Sequence, residues 1–283
     1  MWLSRAEEIY LPSVIGSLDP DQYFYEQQFA MEGPPSGREG RPRGGVALIC
    51  RLSSELSFRS IDCSDARLCG VIVVLDGYPV FSVTGCYMPY WDASGVNAED
   101  YAAVTGKLDA LISSLQPSAP TILLGDFNCQ LCPLAREVRP SGWHHLHGFT
   151  QHSVAMQCLL DDHDLEVDEF NFAQSVDFSY SRAGCRSHTD HIAVPSSLMP
   201  HLLDCSILPP DQNNLSPHLQ LVCQLVTPAL LLLLPCWSRR DTSASSLWLC
   251  PYTPVSLRAS IDQMFMYVHR SSFFCREHGG TPA

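Results

Sequence analysis

A chain of 283 residues with 46% hydrophobic and 17% charged side chains can bury a substantial core, which excludes a disordered chain. A net charge of −13 argues against a broad nucleic-acid-binding surface, which needs clustered Lys and Arg, yet it suits a carboxylate site for a divalent cation. The 13 cysteines are scattered and odd in number, and Met1–Glu8 has no apolar signal core, so reduced thiols in an intracellular compartment, the nucleus included, are expected. Cys129 and Cys132 form a CxxC with no second pair at zinc spacing and read as ordinary thiols. Leu230–Leu234 falls far short of the ~20 residues that span a bilayer, so no membrane association is expected. No stable protein partner can be inferred.

In chain order, the first thirty residues have no clean period. Residues 33–45, a Gly/Pro/Arg stretch, form a loop. Val46–Cys50 reads as a buried strand. Leu68–Leu75 and Val80–Cys86 read as two more, joined by an Asp76-Gly77 hairpin turn. Together they predict an antiparallel or mixed sheet. From Ala98 to Leu115 the period changes, with Tyr101, Val104, Leu108, Leu111, Ile112 and Leu115 on one helical face. Asn97 is placed to cap this helix, with Glu99 and Asp100 in its first turn. Pro117 and Pro120 end it before the strand that leads to Asp126. A helix at Ser153–Asp161 and a strand at His191–Val194 follow. The mixture predicts a layered α/β (α+β) sandwich. Beyond about residue 225 periodicity fades, and Arg258–His269 is a weak helix candidate. The expected organisation is one domain over 1–224 and a poorly specified tail over 225–283.

Chemistry concentrates at strand ends. Ile122-Leu123-Leu124 stops in Gly125-Asp126-Phe127-Asn128. Those four residues read either as a turn or as two polar side chains entering a site, with Phe127 packed the other way. Tyr87 ends another strand and faces opposite to Met88. Asp190 and His191 precede an aliphatic strand, and His218 precedes a last one. Taken singly, Tyr87 is a half-buried aromatic, Asp190 a turn cap and each histidine a surface residue.

In their order, "GRPRGGVALICR", "CYMPYWDASG", "ILLGDFN" and "TDHIAV" resemble the endonuclease/exonuclease/phosphatase family. The likeness is strongest to the endonuclease branch of LINE-type, non-LTR retrotransposons, whose elements also carry a reverse transcriptase. It covers about residues 1–224. It implies a four-layer DNase I-like sandwich, hydrolysis of DNA phosphodiesters, and Mg²⁺ or Mn²⁺ as cofactor. By resemblance, Asp126 holds the metal and positions or deprotonates the attacking water, and Asn128 hydrogen-bonds the phosphate or that water. His218 contacts the scissile phosphate, Asp190 accepts a hydrogen bond from His218 and favours its charged form, and Tyr87 donates to the phosphate. His191 competes for the histidine role, but strand alternation turns it to the opposite face from Asp190.

Two departures bear on activity. The family carries an N-terminal strand with an Asn and a second strand ending in Gln-Glu, whose Glu binds metal. In this branch that Glu directly precedes a segment like Met1-Trp2-Leu3-Ser4. The Glu and the Asn strand are therefore expected to be missing, with one sheet edge left open. The family's Ser-Asp-His is Ser216-Pro217-His218 here, and Pro offers no carboxylate. Three readings stay open: a DNA-nicking phosphodiesterase, a catalytically inactive mobile-element remnant, and a phosphoesterase of the same fold acting on RNA or a phosphoinositide.

Overall fold

A computed structural model describes residues 2–3, 21–28, 45–52, 56–90, 97–116, 118–131, 150–167, 178–182, 185–207, 218–219 and 221–225. The 33–44 loop, Cys132, Ser216 and Pro217, the Leu230–Leu234 run and the Arg258–His269 candidate lie outside these, as does the 225–283 tail apart from Leu225.

Thirteen strands and two α-helices are described, in the order β1 (Trp2–Leu3), β2 (Tyr23–Gln28), β3 (Gly45–Arg51), β4 (Leu56–Ile61), β5 (Leu68–Leu75), β6 (Tyr78–Tyr87), α1 (Ala98–Leu115), β7 (Thr121–Asp126), α2 (Gln151–Asp162), β8 (Leu165–Val167), β9 (Tyr180–Arg182), β10 (Cys185–Ser187), β11 (Asp190–Pro195), β12 (Leu202–Ile207) and β13 (Leu221–Leu225). The central sheet runs β4-β5-β6-β7-β11-β8. Only β6 and β7 pair in parallel, as their connection through α1 requires; the other neighbours are antiparallel.

Helix α1 forms where the apolar stripe predicts it, burying Tyr101, Val104, Leu108, Ile112 and Leu115. With α2 it covers one face of the central sheet, around Leu123, Met156, Leu160 and Ala193. The opposite face packs on a second layer made of β1-β3-β2 and β12-β13. There Val46, Leu48, Cys205 and Leu221 meet Val71, Val83, Ile122, Leu124 and Ile192. Among the described residues the result is a sheet-rich α/β sandwich without a closed barrel. Strands β5, β7 and β11 lie in the middle, which explains why their sequences read as unbroken apolar runs rather than alternating ones.

The Asp76-Gly77 turn is present, with φ of 49° and 84°, the left-handed pair that a two-residue hairpin needs. Two expectations need correction. The Val46–Cys50 strand does not join β5 and β6; it pairs with β2 and lies across them in the second layer. Asn97 stands at the N-cap position of α1 but makes no side-chain cap. Its Nδ2 instead donates to the carbonyl of Tyr90 at 3.3 Å, holding the segment after β6. Strands β2 and β4 were not foreseen. β2 is partly buried along most of its length and β4 has polar residues inside it, so neither shows a clear period.

Candidate active site at the ends of three central strands

The site begins as a consequence of register. Tyr87 ends β6, Asp126 ends β7 beside it in parallel pairing, and Asp190 opens β11 opposite Asp126 in antiparallel pairing. Three polar side chains therefore stand in one row across three strands. They share the face that carries Ile122, Leu124, Ile192 and Val194, because alternation sends their neighbours Met88, Phe127 and His191 to the helix side.

Gly125 makes this row possible. Its φ is 141°, and a Cβ there would lie 1.9 Å from the Cys86 carbonyl oxygen. Beyond it, Asp126 Oδ1 accepts from the Asn128 amide at 3.0 Å, and Asn128 adopts φ 48°. This is an Asx turn closed by a left-handed residue. The Asn128 Nδ2 donates to the Met88 carbonyl at 2.7 Å, tying the end of β7 to the end of β6. Gly-Asp-Phe-Asn is thus both a turn and the lip of a polar site. Phe127 is anchored at both ends. Its amide donates to Thr189 O at 2.8 Å, and its carbonyl accepts from the Tyr101 hydroxyl at 3.0 Å.

His218 arrives from the second layer. Its Nδ1 lies 2.8 and 3.0 Å from the two oxygens of Asp190, and both side chains are almost wholly buried. Its backbone bridges to Tyr180, whose ring meets the imidazole edge-on at 4.8 Å between centroids. Asp126, Asp190 and His218 each offer an atom within 4.8 Å of the others. His191, by contrast, points away from this group; it stacks on His188 with rings 4.7 Å apart, and its Nε2 lies 3.2 Å from the Cys129 carbonyl. Among the five sequence candidates the structure brings Asp126, Asp190 and His218 together, sets Tyr87 beside them, and uses Asn128 as a clasp.

Asp126 and Asp190 are 3% and 1% exposed. Two carboxylates held this close and out of water are stabilised by positive charge between or beside them. A bound divalent cation meets that need, and a hard cation such as Mg²⁺ takes carboxylate oxygens and completes its shell with water or phosphate. The donor set therefore fits a divalent metal.

Residues that sequence reading missed surround this centre. Arg67 is buried with its guanidinium 5.4 Å from the Tyr87 ring centroid, and Nη1 donates to the Tyr87 carbonyl at 3.5 Å. Ser179, fully buried, accepts from the amides of Thr189 and Asp190. Behind the sheet, burial pushes the Tyr101 hydroxyl well up and the Cys129 thiol to about 12, so both stay protonated, and the Tyr101 hydroxyl donates to Phe127 O and to Cys129 Sγ. No local pattern marks Arg67 or Ser179, while the helical stripe marked Tyr101 only as core and the CxxC marked Cys129 only as an ordinary thiol.

The sequence matches the Endonuclease/Exonuclease/phosphatase family over residues 2–249. No curated protein matches it. Among solved structures, the AP endonuclease LMAP from Leishmania major is similar at TM-score 0.55 and 13% identity, covering 75% of this chain and 72% of that one. The endonuclease domain of TRAS1, a telomere-specific non-LTR retrotransposon, is similar at TM-score 0.48 and 12% identity, covering 72% and 78%. The 3′ phosphatase NExo from Neisseria, bound to product DNA hairpin, is similar at TM-score 0.49 and 17% identity, covering 80% and 97%. The likeness to LMAP is one of fold.

Proposed function

Because this chain belongs to the Endonuclease/Exonuclease/phosphatase family, we propose that it is a metal-dependent phosphodiesterase of the retrotransposon-endonuclease type that nicks DNA. The domain responsible is residues 1–224. The observation that carries this reading is the convergence of Asp126, Asp190 and His218 within 4.8 Å at one end of the central sheet.

Hydrolysis of a phosphodiester needs water activated on one side of phosphorus, an oxyanion stabilised on the other, and neutralisation of charge between them. Asp126, at the lip of the site, orients the attacking water and takes up its proton. His218 has Nδ1 committed to Asp190. That bond fixes the ring, so that its Nε2 faces the phosphate oxygens. Tyr87 donates its hydroxyl to the phosphate, while Arg67 at its ring face steadies it. Asn128 spends one Nδ2 hydrogen on Met88; its amide oxygen and second N–H serve the water or the phosphate. Asp126, with Asp190 beside it, would hold Mg²⁺ or Mn²⁺, which would supply Lewis-acid neutralisation of the phosphate charge.

The test is nicking of supercoiled plasmid by the purified chain in Mg²⁺ or Mn²⁺, beside Asp126→Ala. The reading predicts nicking that EDTA abolishes and that Asp126→Ala lowers by at least ~10²-fold. Equal rates from the two proteins, or none from either, would overturn it. The net charge of −13 favours a second substrate class with fewer backbone phosphates. Release of phosphate from an RNA 3′ end or a phosphoinositide, without plasmid nicking, would select that class.

A further inference from the structure

The geometry points to Ser179 as a positioning residue that sets Asp190, and through it His218, in place; this rests on the reading of that pair as catalytic. Ser179 lies just before β9 and is fully buried. Its Oγ accepts from the amides of Thr189 and Asp190, both at 3.0 Å. Its own amide donates to Ser187 O at 3.0 Å, and its carbonyl accepts from the Leu219 amide at 2.6 Å. One residue therefore joins three segments: the start of β9, the entry to β11, and the stretch carrying His218.

The double acceptance at Oγ is the informative part. Successive amides of a strand point to opposite sides, so a ladder neighbour cannot receive both. At the entry to β11 the Thr189 and Asp190 amides turn inward together and need one acceptor with two lone pairs. A hydroxyl oxygen supplies both, and no apolar side chain of similar volume can. Thr189 in turn accepts from the Phe127 amide, so the same peptide also steadies the Gly-Asp-Phe-Asn lip. On the other side the Leu219 amide follows directly after His218, and Tyr180, next to Ser179, packs edge-on against the imidazole. The carboxylate and the ring that form the 2.8 Å pair are thus both referred to Ser179.

Deleting Oγ leaves two buried amides without their acceptor, and the entry to β11 must turn to find other partners. The Asp190 carboxylate rides on that peptide. Partners that orient a reacting group in this way typically contribute about 10–100-fold when removed. The expected outcome for Ser179→Ala is a kcat for plasmid nicking lowered by about that factor, with KM nearly unchanged. Ser179→Thr keeps the oxygen and should restore most of the rate.

A readout independent of activity is the slowly exchanging Nδ1 proton of His218 in ¹⁵N-histidine-labelled protein, assigned by its absence in His218→Gln. It should be lost or strongly shifted in Ser179→Ala and retained in Ser179→Thr, while circular dichroism shows both variants folded. A folded Ser179→Ala with the wild-type resonance and kcat overturns the assignment. So does a folded Ser179→Thr that lacks the resonance, which covers the case in which the alanine variant does not fold. If the unaltered chain nicks nothing, the phosphodiesterase reading fails, while the His218 resonance still decides the role of Ser179.

Discussion

Replacing Gly125 by alanine tests the central geometric claim, that β6 and β7 bring Tyr87 and Asp126 side by side only because one residue lacks a Cβ. The added carbon would lie 1.9 Å from the Cys86 carbonyl oxygen, 2.9 Å from its carbon and 3.0 Å from its nitrogen. Reaching ordinary contact near 3.4 Å requires the strands to part by about 1.5 Å at this point. All three atoms are backbone, so no side chain can swing aside. The φ of 141° adds strain for any L-residue. Overpacking of this kind costs about 1–3 kcal/mol and the backbone conformation about 1–2 more, giving about 2–5 kcal/mol of a total stability near 5–15. Urea denaturation followed by circular dichroism measures the loss. Gly77→Ala is the matched control: its φ is 84° but nothing lies within 4 Å of the new carbon, so only the conformational part, about 1 kcal/mol, should appear. A Gly125→Ala loss no larger than that of Gly77→Ala would refute the reasoning.

Further outcomes follow from the buried thiols and the Asp190 pair. Burial pushes the thiols of Cys50, Cys69 and Cys129 up to about 12. The unfolded chain releases those protons near the ordinary value of about 8.5–9, so above that pH the folded state holds more protons than the unfolded state. Stability is therefore complete below about pH 8.5 and falls by about 1.4 kcal/mol per group per pH unit up to about 12. The loss at pH 10.5 is about 6–8 kcal/mol for three groups, comparable with the whole stability. Cys86 and Tyr101, also raised by burial, act in the same direction. An alkaline scan should show unfolding between about pH 10 and 11, and a chain still folded at pH 12 contradicts this. Iodoacetamide at pH 8 should modify exposed Cys158 and spare Cys50, Cys69 and Cys129, read by peptide mass spectrometry; rapid labelling of Cys129 would show that Tyr101 and the lip of the site do not pack as described. Asp190→Asn removes the carboxylate that faces His218 Nδ1 at 2.8 Å. It should destabilise the fold by about 3–5 kcal/mol and lower any nicking at least ~10²-fold, and an unchanged melting curve would deny the pair its buried character.

The sequence by itself determined the elements whose signal is local. Helix α1 occupies the predicted residues because an apolar stripe at three- and four-residue steps serves no other structure. Strand β5 does so because an unbroken apolar run suits a central strand, and Asp76-Gly77 sets the hairpin because both residues tolerate positive φ. The order of polar residues at strand ends pointed to Asp126, Asn128, Asp190, His218 and Tyr87 and to the family. Only the tertiary structure decided which of these meet. Register puts Tyr87, Asp126 and Asp190 in one row, while His191, adjacent in sequence to Asp190, belongs to the helix-side core. His218 reaches Asp190 across 28 residues of chain, and Asn97 at the N-cap position of α1 holds Tyr90 instead of capping the helix. Ser179 and Arg67 act through hydrogen bonds between segments that no spacing rule connects. Periodicity and turn chemistry are properties of neighbours along the chain; register, layer packing and the satisfaction of buried polar groups are properties of strands brought together by the fold.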